Sequence, residues 1–293
     1  MLTRLSSEVE RGTVVETAGC RRPPWTSSGR LFESGSRDSN PGSRRPSARD
    51  KGKLPILPGL AGNVSTPTAP AKARDRYDFH SHTYLTDGDA SATMMWAEAE
   101  RLAHRALAIT DHIGLEDPAP LLDRLRAEAR GWEGSEMTTL VGVEVTMVPP
   151  RRLAEAVRQA RKAGAEIVIV HGETTAEPVY AGTNRAAVEL NDVDVLAHPG
   201  FITVEEAELA KAHEVILEVS GRSLHGLTNG HVVRTALQVG NDLVVDSDAH
   251  RTTQLLTQED ARRVARGAGV PDSTLPRILH ETPKHLLRRC GKP

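Results

Sequence analysis

From Arg76 onward the chain alternates short apolar runs, rich in Val, Ile and Leu, with longer Ala-, Glu- and Arg-rich stretches of helical period. The runs predict strands near 76–80, 106–110, 139–145, 166–170, 193–197, 214–219 and 242–247. The amphipathic stretches predict helices near 92–104, 119–130, 151–163, 183–190, 203–212, 229–239 and 258–267. This is the rhythm of βα units, and most of the strands are apolar on both faces, as parallel strands covered by helices must be. An open doubly wound sheet would show the same pattern. A barrel differs in gathering all its strand ends around one mouth, so the polar residues have to discriminate.

Those residues collect where the runs end. His80 and His82 follow the first predicted strand, Asp111 and His112 the second, and Glu144 lies in the third. His171 follows the fourth, His198 the fifth, and Asp248 and His250 the seventh. In a barrel all of them face one small volume. Side chains two apart on an extended segment point to the same side, so His80-Ser81-His82 offers two imidazoles together, and Asp248-Ala249-His250 a carboxylate with an imidazole. A ligand set of His and carboxylate without thiolate suits Zn²⁺, Mn²⁺ or Fe²⁺ at an open hydrolytic centre rather than a closed structural zinc site. With about nine candidates and about four to six positions per ion, two or three divalent metal ions are expected, provided that a carboxylate bridges.

The segments YDFHSHTYLTDG, AITDH, GVE, VHGE, LAHPG and VVDSDAH resemble, in sequence and in order, the motifs of the polymerase and histidinol phosphatase (PHP) superfamily of metal-dependent phosphoesterases. The resemblance covers about residues 76–288 and implies a distorted (β/α)7 TIM-like barrel, in agreement with the seven units read from periodicity. It also implies that His80, His82, Glu144 and Asp248 hold one metal and that Glu144, His171 and His198 hold a second, with Glu144 as the bridge. Asp87, His112 and His250 would hold a third, Asp87 standing where some members have His. One departure is visible: the last motif commonly begins Gly-Ser-Asp, and here reads Asp246-Ser247-Asp248.

The implied reaction is hydrolysis of a phosphomonoester by a metal-bridging hydroxide, on a small phosphorylated substrate for which L-histidinol phosphate is the expectation. Arg222 and Arg251 are the candidate phosphate contacts, and His225 the candidate proton donor to the leaving alkoxide. A phosphodiesterase or exonuclease acting on nucleotides or short RNA is the alternative, and a metal-stabilised binding module a second one. His104, His213, His231, His280 and His285, outside the strand-end motifs, are expected to be structural, and Glu173 to be a surface carboxylate.

Composition adds limits. Of the 293 residues 38% are hydrophobic and 26% charged, as in an ordinary globular chain, and a net charge of -2 gives no global drive toward nucleic acid or an anionic membrane. The two cysteines, Cys20 and Cys290, build neither a disulfide framework nor a CxxC site. No apolar run is long enough to cross a bilayer, so a cytoplasmic protein without membrane contact is expected. Residues 1–74, rich in Gly, Pro, Ser and Arg, are expected to form a disordered extension ahead of a catalytic domain over 75–293. Phosphate loops (GxxxxGK[ST]), GxGxxG turns, GxSxG elbows and HExxH helices are absent, which removes kinase, dehydrogenase, serine hydrolase and zincin readings.

Overall fold

The protein is described by a computed structural model over residues 74–293; the expected disordered extension, up to residue 73, lies outside the described residues. Nine strand segments are present among them: β1 (Arg76–Asp78), β2 (His104–Ile109), β3 (His112–Ile113), β4 (Thr138–Val141), β5 (Val143–Val145), β6 (Val168–His171), β7 (Val195–Ala197), β8 (Ile216–Ser220) and β9 (Leu243–Asp246). All pair in parallel, in the orders β1-β2-β4 and β3-β5-β6-β7-β8-β9. β2 and β3 are one strand broken at Thr110-Asp111, and β4 and β5 one strand broken at Gly142, so the segments form seven strands, at the positions expected from the apolar runs.

The ring closes between the last strand and the first. Ser81 and Ala249 form a parallel bridge, and His82 N donates to Ala249 O at 2.8 Å. Two carboxylates extend the seam: Asp246 accepts from Phe79 N at 2.8 Å and Asp78 from Ser247 N at 3.0 Å. The residue that replaces the usual glycine of the last motif therefore holds the barrel shut by a backbone bond and touches none of the candidate ligands.

Eight helices cover the described strands: α1 (Ala92–Arg101), α2 (Ala119–Ala129), α3 (Pro150–Lys162), α4 (Thr183–Val188), α5 (Val204–Ala212), α6 (Asn229–Val239), α7 (Gln258–Gly267) and α8 (Thr282–Arg289). Their starts are coded locally. Ser91 accepts from Met94 N at 3.2 Å, and Thr203 with Glu206 and Thr257 with Asp260 form capping boxes, each satisfying donors that a helix start leaves open. The first seven helices match the periodic stretches of the sequence; α8 was not anticipated. Pro283 in its first turn tolerates the missing N–H there, and Leu286 and Leu287 point into the barrel against Phe79, Ile169 and Val244.

The alternation of each strand separates the two sides of the wall. Ala106, Ala108, Leu140, Ile169, Val195 and Val244 fill the barrel, whereas Leu107, Ile109, Val141, Val168, Val170, Leu217 and Val245 pack outward under the helices. Glu144, between outward Val143 and Val145, and Glu218, between outward Leu217 and Val219, consequently point inward.

Candidate metal centre

All nine residues expected as metal ligands converge at the carboxyl-terminal mouth of the barrel. Their donor atoms form four overlapping groups, each within 4.8 Å: His82, Asp87, His112 and His250; His80, His82 and Glu144; His80, His198 and Asp248; and Glu144, His171 and His198. Among the described residues these groups contain the nine and no others. Glu144 lies at the middle, one oxygen 2.9 Å from His112 Nδ1 and 3.4 Å from His80 Nε2, the other 3.5 Å from His198 Nε2. Asp248 faces the same volume, 3.4 Å from His82 Nε2.

The backbone is shaped to bring these side chains in. His198 and Asp248 hold φ of 29° and 50°, values that L residues rarely adopt and that a fold retains chiefly where a side chain must be aimed. Gly200, at φ 61°, closes the turn after His198 so tightly that a Cβ there would sit 1.9 Å from Glu173 O. Asp111, also at a strand end, turns away from the cluster: it accepts from Thr83 N at 2.6 Å, Thr83 Oγ1 at 2.7 Å and Thr86 Oγ1 at 2.8 Å, which fixes the loop carrying Asp87.

Outer partners orient the rings. Glu218, wholly buried, lies 2.6 Å from His80 Nδ1, so that nitrogen carries the proton and Nε2 turns its lone pair to the centre. Gly172 O does the same for His171 Nδ1 at 3.1 Å. Sequence reading missed Glu218. Its signal was present: a carboxylate at the inward position of an otherwise apolar strand.

The electrostatics are those of a cation site. Burial opposes charge on His80, but Glu144, Glu218 and Asp248 hold its pKa well above the ordinary histidine value. His112 is raised to about 10, burial being outweighed by Glu144 and Asp87. Glu144, against the cost of burial, is held well below the carboxylate range by His80 and His112, and Asp248 by His80 and His82. Burial, helped by charge on His112 and His80, pushes His82 down to about 4 against the pull of Asp248. His80 Nε2, both nitrogens of His82, both oxygens of Glu144, His198 Nδ1 and Asp248 Oδ2 are buried without a hydrogen bond. Buried polar atoms normally have partners, and five neighbouring histidine and carboxylate side chains left with unpartnered atoms are a donor set that divalent cations satisfy.

The PHP domain family model matches residues 77–263, more than half of the chain. The chain belongs to the PHP domain family. It is 38% identical over 216 residues to an uncharacterized protein of Methanocaldococcus jannaschii, covering 73% of this chain and 99% of that one. It is 29% identical over 126 residues to ribonuclease P protein component 3 of Methanosarcina barkeri, a match covering 43% of this chain and 46% of that protein. Among solved structures it resembles Lactococcus lactis histidinol phosphate phosphatase complexed with zinc, L-histidinol and phosphate, with a TM-score of 0.49 and 13% identity over 68% of this chain and 95% of that one.

Around the PHP centre a narrow cleft is walled by Asp87, His112, Glu144, His171, Glu177, His198, Arg222, His225, Asp248 and His250. Larger grooves, such as one of about 490 Å³ beside α2 and α3, contain none of these groups, so chemistry rather than size singles out the cleft. Arg222 reaches into it, Nη1 lying 3.2 Å from Asp248 and 2.6 Å from His250 Nδ1. His225 is buried in the wall, its pKa lowered to about 4 by burial and by His198. Arg251 is not brought to the cleft; it is exposed and paired with Asp89 at 2.5 Å. Glu177, a cleft residue unmarked in the sequence, lies 3.3 Å from both His171 Nε2 and His225 Nε2, and the His171 hydrogen bond lowers its pKa to about 2. Glu173 accepts from Asn184 N at 2.9 Å, away from the ligands. His104, His213 and His231 bond backbone carbonyls at 2.9, 2.8 and 2.7 Å, as structural histidines do.

Proposed function

We propose that this PHP protein hydrolyses a phosphomonoester, with L-histidinol phosphate as the substrate to be tried first. The observation that carries the reading is the convergence of nine donors with unpartnered buried lone pairs beside one cleft-facing arginine. The motifs would assign His80, His82, Glu144 and Asp248 to one divalent ion and Glu144, His171 and His198 to a second; the second set is one of the donor groups, whereas the first is divided between His80, His82 and Glu144 and His80, His198 and Asp248. Asp87, His112 and His250, with His82 beside them, hold a third. Bound divalent ions in such a set anchor phosphoryl oxygens and make water acidic enough to supply the nucleophile near neutral pH.

The chain's own groups do the rest. Glu218 and Gly172 fix the ring orientations of His80 and His171, so the centre is arranged before substrate arrives. Arg222 offers guanidinium donors to a phosphate oxygen, trading its contacts to Asp248 and His250 for the incoming anion. His225 holds a proton for the departing alkoxide; a phosphate dianion beside it favours the imidazolium and opposes the downward shift caused by burial.

The partial likeness to a ribonuclease P component favours a second reading, action on a phosphodiester of a nucleotide or short RNA. One assay separates the two. Phosphate release from L-histidinol phosphate and cleavage of a dinucleotide are measured side by side, with Zn²⁺ and with Mn²⁺. Chelator-sensitive release from the monoester alone is expected. Cleavage of the dinucleotide alone would replace the first reading with the second.

A further inference from the structure

Nine large apolar side chains are exposed among the described residues, and seven of them lie in the loops that follow β1, β3, β5, β6, β7 and β8. The most exposed of the seven are Tyr84, Met147, Tyr180, Phe201, Leu224 and Leu227. The other two of the nine, Met94 and Leu237, sit on α1 and α6, and the loops leading from helices back into strands contribute none. Both ends of the barrel are made of loops, so loop exposure does not produce this asymmetry. Apolar surface is concentrated on the end that carries the metal centre, and apolar tips collected around a polar cleft mark a binding surface.

Some of these side chains are held ready. Phe201 is 67% exposed yet braced edge-on by His231, with ring centroids 5.5 Å apart, and His231 is itself fixed by Ile202 O at 2.7 Å. Tyr84 carries the Arg124 guanidinium over its ring at 5.3 Å, with its hydroxyl accepting from the same arginine. The cleft inside the rim is narrow and walled by ionisable groups, so it offers nothing to the organic portion of an ester. The remainder of a larger ester must lie on the rim.

We propose that the rim binds the organic portion of the substrate, and that the substrate is accordingly a phosphoester of an apolar, ring-bearing alcohol. Its phosphate enters toward Arg222 while its ring lies against Tyr180, Phe201 and Leu227. This rests on the phosphoester reading and departs from its first candidate, since L-histidinol carries an ammonium group and a polar ring. A polyol or sugar needs several polar partners; the Met, Phe and Leu tips offer none and each Tyr a single hydroxyl, whereas an aromatic or aliphatic ring gains area and stacking from them.

The test uses the full chain loaded with Mn²⁺ and two esters of primary alcohols, 2-phenylethyl phosphate and glycerol 1-phosphate, whose leaving groups are alike. KM for the phenylethyl ester is expected to be about tenfold lower, equivalent to about 1.4 kcal/mol. Tyr180→Ser combined with Phe201→Ser should abolish that advantage; Met94→Ser combined with Leu237→Ser, exposed apolar side chains away from the rim, should preserve it. Equal KM values in the parent protein, or a rim variant that shifts both esters by one factor, would overturn the proposal. So would a rim variant that turns a dimer into a monomer with both KM values unaltered, since the rim would then be covered by a second copy. Failure of the underlying reading looks different: neither ester releases phosphate although metal is bound.

Discussion

Removing the metal should cost this fold a large part of its stability. Seven buried donor atoms of the candidate ligands have no hydrogen-bond partner from the protein, and the carboxylates at the middle are held ionised by imidazoles that must themselves be charged to do so. A divalent ion satisfies the same oxygens and nitrogens with the imidazoles neutral. One site filled at about 100 times its Kd contributes about 2.7 kcal/mol, so two or three filled sites contribute about 5–8 kcal/mol. In a domain of this size each kcal/mol moves Tm by about 2–4 °C, which gives a difference of about 10–30 °C. Scanning calorimetry on chelator-treated protein, before and after Mn²⁺ or Zn²⁺ is restored at a fixed multiple of the measured Kd, reads this directly. Glu144→Gln, which alters a member of two donor groups, should bind less metal and recover much less of the shift. A Tm that moves by less than about 2 °C between loaded and stripped wild-type protein would refute the reasoning, because these donors would then be satisfied without an ion.

Four smaller perturbations follow from single contacts. Glu218→Gln loosens the ring of His80, and metal affinity in a competition titration should fall about 10–100-fold with the fold intact. Gly200→Ala forces a Cβ against Glu173 O at a positive φ; unfolding free energy should fall by more than about 2 kcal/mol in denaturant titrations, with metal content falling as His198 is displaced. Asp246 is pushed well above the ordinary carboxylate range by burial and by Asp78 and Glu218, so its surroundings disfavour the charge and an uncharged amide should serve the seam. Asp246→Asn should therefore unfold within about 1 kcal/mol of wild type, whereas Asp246→Ala, which removes the acceptor for Phe79 N, should lose about 1–3 kcal/mol. His104, driven down to about 4 by burial and by Arg76, takes up its proton later in the folded chain than the ordinary histidine value of about 6.5 in the unfolded one. Between those values the unfolded state binds more protons, so stability falls as pH falls, by about 3 kcal/mol over the window. His104→Gln should lack that component, and parallel pH profiles of wild type and variant would show the assignment to be wrong.

The sequence made the repetitive and the polar-ended parts of this protein legible for physical reasons. Seven apolar runs separated by seven amphipathic stretches leave few topologies, and ligands placed at strand ends, such as His171 after Val168-Ile169-Val170, show which end of each strand carries the chemistry. What escaped depends on contacts distant in sequence. Glu177 reaches the cleft through a loop whose course no periodicity describes, and Arg251, adjacent to His250 in sequence, is drawn off by Asp89 on another loop. α8 escaped because Pro283 interrupts the pattern, although its paired leucines plug the barrel. Asp246 illustrates the limit from the other side: the sequence shows it only as a departure from the last motif, and the position of Phe79 N assigns it to the seam.

That seam connects folding with chemistry. His80-Ser81-His82 and Asp248-Ala249-His250 belong to the first and last strand ends, and the two middle residues, Ser81 and Ala249, form the bridge that closes the ring. Backbone pairing through the middle residue leaves the flanking side chains free for the mouth, where His82 and Asp248 approach to 3.4 Å and the rings of His82 and His250 pack tilted at 4.4 Å between centroids. The period-two spacing thus places donors on either side of a closure bond, and ligands from both ends of the barrel sequence meet only once the last strand has docked. Closure and cation binding stabilise the same geometry, so each strengthens the other by linkage, and a centre whose ligands come from six of the seven strand ends, the first and last among them, is complete only in the closed ring.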